Sequence, residues 1–263
     1  MDFTDSHCHL TYPRDDGLTP SDLVANAQAE NVNTLLTIGT THRSFAEMHA
    51  FTTEQEGVFC TYGIHPHYAG GELEPQALAQ EIRKAAQLTK VVGLGESGLD
   101  YHYDNAPRDK QKESFRVHLE LAQELDLPLV IHSRDAEEDT IALLEEALSR
   151  GVLQAVIHCF TSKKILADFA IKNGLYLGAT GVITFKKSQE LRDIFAEVPN
   201  NLLLIETDSP YLAPVPYRGK PNQPSYVPYV AECLAEARGQ SLQEVAEITS
   251  ANFLRLFPKV KEE

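Results

Sequence analysis

The chain has 263 residues, 43% of them hydrophobic, and a formal net charge of −15. That length suits a single α/β domain with a sizeable core. The charge is unhelpful for long-range attraction of nucleic acid or anionic membrane, so a polyanionic substrate would need local cations. No run of about 18 apolar residues exists, so no membrane span is expected. The opening Met1-Asp2-Phe3-Thr4-Asp5 lacks the basic and apolar regions of a signal peptide. Cys8, Cys60, Cys159 and Cys233 form no Cys-x-x-Cys pair. They read as reduced core residues of a cytoplasmic protein.

Taken in order, short β-branched apolar runs alternate with helical patterns. Strands are predicted over Asp2 to His9, Thr34 to Gly39, Val58 to Ile64 and Val91 to Glu96, then over Leu129 to His132, Ala155 to His158, Tyr176 to Thr180 and Leu202 to Thr207. The first helix, Pro20 to Glu30, carries Leu23, Val24 and Ala27 on one face. His42 to Glu54 follows the N-cap candidates Thr40 and Thr41, and Pro75 to Leu88 opens on proline. Lys110 to Leu125 has Phe115, Leu119, Ala122 and Leu125 at helical spacing. Ala136 to Leu148, Lys163 to Lys172, Ser188 to Phe195 and Val227 to Arg238 follow, and Leu242 to Phe257 carries a Ser241/Glu244 capping box. Eight alternations with continuous apolar strands point to a (β/α)8 TIM barrel, one domain over residues 1–263. An open doubly wound sheet is the alternative, weakened because no Gly-x-Gly-x-x-Gly follows the first strand. Pro210 to Pro228, with six prolines, reads as an ordered loop at the barrel mouth.

The strand ends carry the chemistry. His7 and His9 end the first strand two residues apart, so they share a face while Cys8 points to the other. His65 and His67 follow the third strand, Glu96 ends the fourth, His132 the fifth and His158 the sixth, and Asp208 follows the eighth. In a barrel these ends converge on the catalytic face. Each residue alone has a plain explanation: a half-buried histidine, an ion-paired carboxylate, a loop cap. Chance would scatter them among strands, helices and loops, so their conjunction points to metal binding. The set His7, His9, Glu96, His132, His158 and Asp208 exceeds one tetrahedral ion and suits two, about 3.5–4 Å apart, bridged by a carboxylate and a hydroxide. Nitrogen and oxygen donors without thiolate suit ions such as Mn or Zn. An acidified metal-bound water is then the expected nucleophile, with Asp208 taking its proton and Glu96 at the reacting centre. Hydrolysis of an ester, amide or phosphoester follows.

The motifs Asp5-Ser6-His7-Cys8-His9-Leu10, Gly63-Ile64-His65-Pro66, Gly95-Glu96-Ser97-Gly98-Leu99-Asp100, Ile131-His132-Ser133-Arg134, Ile157-His158-Cys159-Phe160 and Glu206-Thr207-Asp208-Ser209-Pro210-Tyr211-Leu212 resemble those of the TatD-type deoxyribonucleases of the amidohydrolase superfamily. The resemblance runs from residue 5 to Asn252. It implies a metal-dependent barrel acting on DNA as a 3′-5′ exonuclease at single-stranded ends, with two divalent ions (Mg, Mn or Zn) as cofactors and a monomer expected. By resemblance His7, His9, Glu96 and Asp208 hold one ion, and Glu96 bridges to a second held with His132 and His158. His65 is placed near the substrate phosphate. Arg218-Gly219-Lys220-Pro221-Asn222 matches the family's Arg-Gly-Lys-x-Asn segment, which makes Arg218, Lys220 and Asn222 substrate-binding candidates. Ser97 departs from the family pattern, where an aliphatic residue is expected. A small-molecule hydrolase acting on a lactone, cyclic amide or phosphate ester is the alternative.

Overall fold

The structure, a computed structural model, describes residues 1–71 and 73–262. The order is β1 (Phe3–Cys8), α1 (Pro20–Ala29), β2 (Val32–Thr37), α2 (His42–Thr53), β3 (Val58–Tyr62), α3 (Pro75–Ala85), β4 (Val91–Asp100), α4 (Arg108–Leu125) and β5 (Leu129–Arg134). Then come α5 (Glu137–Arg150), β6 (Ala155–Ile157), α6 (Lys164–Lys172), β7 (Tyr176–Ala179), α7 (Gln189–Glu197), β8 (Leu203–Ile205), α8 (Val227–Arg238) and α9 (Leu242–Leu256). The strands form one parallel sheet in the order β1 to β8, a (β/α)8 barrel. The sequence patterns therefore mark every strand and these nine helices.

The chain divides into two compact units. Met1–Thr37, Cys159–Thr161 and Tyr176–Arg255 form the first; Ile38–His158, Ser162–Leu175 and the residues from Leu256 form the second. In the first unit β1 pairs with β2, and β7 with β8. The end of β1 also joins the segment after β8. Asp208 N–H donates to the His7 carbonyl at 2.9 Å, and His9 N–H to the Ser209 carbonyl at 2.8 Å. The buried Asp5 carboxylate reinforces this join by accepting from Thr207 N–H at 2.9 Å and Thr207 Oγ1 at 2.6 Å. Leu23, Val24 and Ala27 of α1 are buried, the face that the sequence marks. The N-cap of α1 is Thr19, in a capping box with Asp22. Cys8 is buried, and its Sγ donates to the Leu36 carbonyl.

In the second unit β3, β4, β5 and β6 pair side by side in parallel. Thr41 caps α2 as expected. Phe115, Leu119 and Ala122 are buried on the inner face of α4, which has no charged residue at those positions to contest burial. Most strand ends shift by one or two residues from the sequence reading, and one shifts further. β4 does not stop at Glu96 but continues to Asp100, pairing Gly98 with His132 and Asp100 with Arg134. Gly98 makes this possible. Its φ is +147°, and a Cβ there would overlap the His132 carbonyl. Glycine alone lets the two backbones approach this closely.

Gly98→Ala is therefore expected to cost about 2–3 kcal/mol in urea unfolding, through backbone crowding. Gly219→Ala provides the comparison. It also has positive φ (+87°) but open space around a new Cβ. It should cost only about 1 kcal/mol. Equal losses would contradict the crowding account.

Candidate metal centre

Alternation along β1 sends Asp5, His7 and His9 to one face. In the first unit His7 Nε2 and His9 Nε2 lie 3.3 Å apart. Asp208 Oδ1 lies 3.6 Å from His7 Nε2 and 3.4 Å from His9 Nε2. All three residues are buried. Metal–imidazole bonds of about 2.0–2.1 Å place neighbouring ligand atoms of a tetrahedral ion about 3.3 Å apart. The triangle of donors therefore fits a divalent cation in spacing as well as in chemistry. The His9 ring is backed by Tyr12, stacked at 4.3 Å with an 18° interplanar angle. Burial pushes the Asp5 carboxyl up to about 8 against the hydrogen bonds from Thr207 and His7.

The second unit builds its own cluster around Glu96. Glu96 Oε1 lies 2.8 Å from His132 Nδ1, 2.8 Å from His158 Nε2 and 3.3 Å from His65 Nε2. His132 Nδ1 and His158 Nε2 are 3.3 Å apart. The other nitrogen of His132, Nε2, lies 3.1 Å from Asp100 Oδ2, which also accepts from His67 Nε2 at 2.9 Å. Asp100 Oδ1 is fixed by the N–H groups of His102 and Tyr103. A carboxylate on Nε2 holds the proton there and leaves the Nδ1 lone pair facing Glu96. Two lone-pair-bearing atoms 2.8 Å apart repel unless a proton or cation lies between them, so this cluster also fits an ion. The electrostatics agree. Burial opposes charge on His132, yet hydrogen bonds to Asp100 and Glu96 raise it overall. Burial likewise opposes ionisation of Glu96, but His158 and His65 hold it well below the usual carboxylate range.

Two of the expected substrate contacts have well-defined surroundings. His65 Nε2 faces Glu96 and its Nδ1 accepts from His67 N–H at 3.1 Å. Burial pushes His65 down to about 4 despite the pull of Glu96, which leaves a neutral imidazole beside that carboxylate. Its donor atom also lies close enough to those of Glu96 and His132 to share an ion with them. Asn222 is the one correction among the expected contacts. It is 0% exposed, its Nδ2 donates to the Thr207 and Tyr211 carbonyls at 2.8 and 2.6 Å, and its Oδ1 accepts from Gln223 N–H. It clamps the loop after β8 and cannot also meet a substrate. Arg218 and Lys220 are exposed, with the Arg218 guanidinium 4.4 Å over the Phe185 ring.

Asp100 escaped the sequence reading as a partner of the site, and His67, though counted among the strand-end histidines, was given no role there. Their signal is present: Asp100 stands four residues after Glu96, on the same face of β4. Ser97 also gains an explanation. Its Oγ lies 3.1 Å from Nδ1 of the buried His118, whose Nε2 accepts from Ile64 N–H at 3.2 Å. Ser97 thus answers a buried imidazole that an aliphatic side chain would leave without that contact.

The model of the TatD-related DNase family matches residues 4–258. The chain belongs to that family. The metal-dependent hydrolase YcfH of Escherichia coli, itself uncharacterized, is 39% identical over 98% of this chain and 96% of its own length. The 3′-5′ ssDNA/RNA exonuclease TatD of Klebsiella pneumoniae is 34% identical over 90% of each. The crystal structure of YJJV, a TatD homologue from Escherichia coli, aligns with a TM-score of 0.88 at 28% identity, covering 97% of this chain and 98% of that one. This TatD-family chain is accordingly a metal-dependent hydrolase, and no helix among the described residues is long and apolar enough to cross a membrane.

Burial pushes His118 down to about 4 from an ordinary 6.5, against the Ser114 carbonyl it bonds. The unfolded chain therefore takes up this proton first as pH falls. The stability tied to neutral His118 is complete above about pH 6.5 and lost on the way to about pH 4, by about 3 kcal/mol. Urea unfolding across that window should fall more steeply for the wild type than for His118→Gln. Parallel curves would contradict the assignment.

Proposed function

We propose that the chain is a 3′-5′ exonuclease acting on single-stranded DNA ends through two divalent ions, with residues 1–263 as one catalytic domain. The observation that carries this reading is the convergence of His7, His9 and Asp208 at 3.3–3.6 Å, in a family with a named single-strand exonuclease at 34% identity. His7, His9 and Asp208 hold one ion. Glu96, His132 and His158 hold the other. Nitrogen and oxygen donors without thiolate leave Mg, Mn and Zn as the candidates. Bound divalent ions supply a water acidified to near neutral pH and neutralise charge on the phosphodiester.

The chain's own residues do the rest. Asp208 takes the proton of the attacking water. Glu96, ionised at neutral pH, fixes the imidazoles that face it. Asp100 orients His132 through Nε2. Arg218 and Lys220 supply the local cations that a surface of net charge −15 otherwise lacks. Among the described residues the four cysteines form no disulfide, in keeping with work in the reducing cytoplasm, and a monomer suffices because every assigned residue comes from one chain. The same acidic charge favours one competing reading, a hydrolase of small neutral lactones or phosphate esters.

A nuclease assay on end-labelled single-stranded DNA separates the two. Metal-loaded wild type should shorten the strand stepwise, chelator-treated protein should not, and His132→Ala should lose at least about a hundredfold in rate. Identical behaviour with and without metal, or faster turnover of a lactone panel, would sink the nuclease reading. Asp100→Asn leaves the ligands in place but removes the anchor of His132. It should weaken metal binding, read by titration, by about 10–100-fold with little change in melting temperature of the metal-free protein.

A further inference from the structure

Three of the chain's ten tyrosines are exposed among the described residues: Tyr68 at 46%, Tyr103 at 55% and Tyr211 at 54%. They are not scattered. The Tyr68 ring lies 6.4 Å from His65, Tyr103 5.4 Å from His67, and Tyr211 6.4 Å from His9. Each therefore stands beside a histidine of the strand-end set. An exposed phenol ring gains little from folding, so a repeated placement of this kind points to a ligand.

Tyr211 is the best anchored of the three. Its N–H donates to the Asp208 carbonyl at 2.9 Å, and its own carbonyl accepts from the fully buried Asn222 at 2.6 Å. Its ring meets Tyr12 edge-on at 6.3 Å, and Tyr12 stacks on His9. Three aromatic rings thus run from a metal-ligand candidate out to solvent, on a backbone that Asn222 holds still. A rigid, flat, uncharged ring loses little entropy when another flat ring covers it.

We infer that Tyr211 is a stacking platform for the unpaired nucleobase of the nucleotide whose phosphate is held at His9 and Asp208. The inference rests on the nuclease reading above and names how that site selects its substrate. Stacking is tolerant of sequence, because every base has a π-face, and it needs no positive charge, which suits a chain of net charge −15. A paired base inside a duplex offers no free face. The platform therefore selects single strands.

The test uses oligonucleotides carrying 2-aminopurine at the 3′-terminal, penultimate or an interior position, since stacking quenches its fluorescence. Wild type should quench one of the two end positions. Tyr211→Phe should keep the quenching and Tyr211→Ala should lose it, with KM for single-stranded DNA rising about 5–150-fold and kcat changing far less. An oligonucleotide abasic at the quenched position should impose the same KM rise on wild type and no further rise on Tyr211→Ala. If wild type degrades the strand while quenching and KM stay unchanged in Tyr211→Ala, or abasic substrate is processed normally, the stacking role is overturned and the nuclease reading stands. If wild type neither binds nor shortens any single strand, the nuclease reading falls and takes the platform with it.

Discussion

The site in the first unit depends on two backbone hydrogen bonds that join the end of β1 to the segment after β8. Asp208 N–H reaches the His7 carbonyl, and His9 N–H reaches the Ser209 carbonyl. A slip of one residue would send His7 and His9 to the opposite face and dissolve the donor triangle. Asp5 guards that register with both carboxylate oxygens on Thr207. The DSHCH motif and the ETDSP motif are therefore two sides of one join. Its polar residues align the strands while its histidines and Asp208 present lone pairs.

The second unit meets a different problem, which is how to hold charge inside a barrel. Glu96 and Asp100 are both buried, and burial alone would push either towards neutrality. Histidines stabilise the ionised forms. His132, His158 and His65 surround Glu96, while His132 and His67 share Asp100. Such a network attracts positive charge by construction, as the raised His132 shows. Hydrogen bonds reach outward from it to Asp100 and the backbone of His102 and Tyr103, which fix ring orientation before any ion arrives.

Much of this was legible in the residues. Eight apolar, β-branched runs were bounded by caps and turns, and the strands they predict all form. The placement of His7, His9, Glu96, His132, His158 and Asp208 at or beside strand ends follows from the same pattern. What escaped depends on contacts distant in sequence. The length of β4 turned on a glycine facing the His132 carbonyl, which no local pattern reports. Asn222 read as a polar residue of a basic loop, whereas its side chain is consumed by two carbonyls 15 and 11 residues away. Ser97 looked like a departure without a reason until His118, 21 residues further on, supplied one.

The central claim is that these two donor clusters each hold one divalent ion. Anomalous diffraction from crystals grown with manganese tests it directly. The account requires two anomalous peaks per chain, one coordinated by His7, His9 and Asp208 and the other by Glu96, His132 and His158. A single peak, none, or ions seated on other side chains would contradict it.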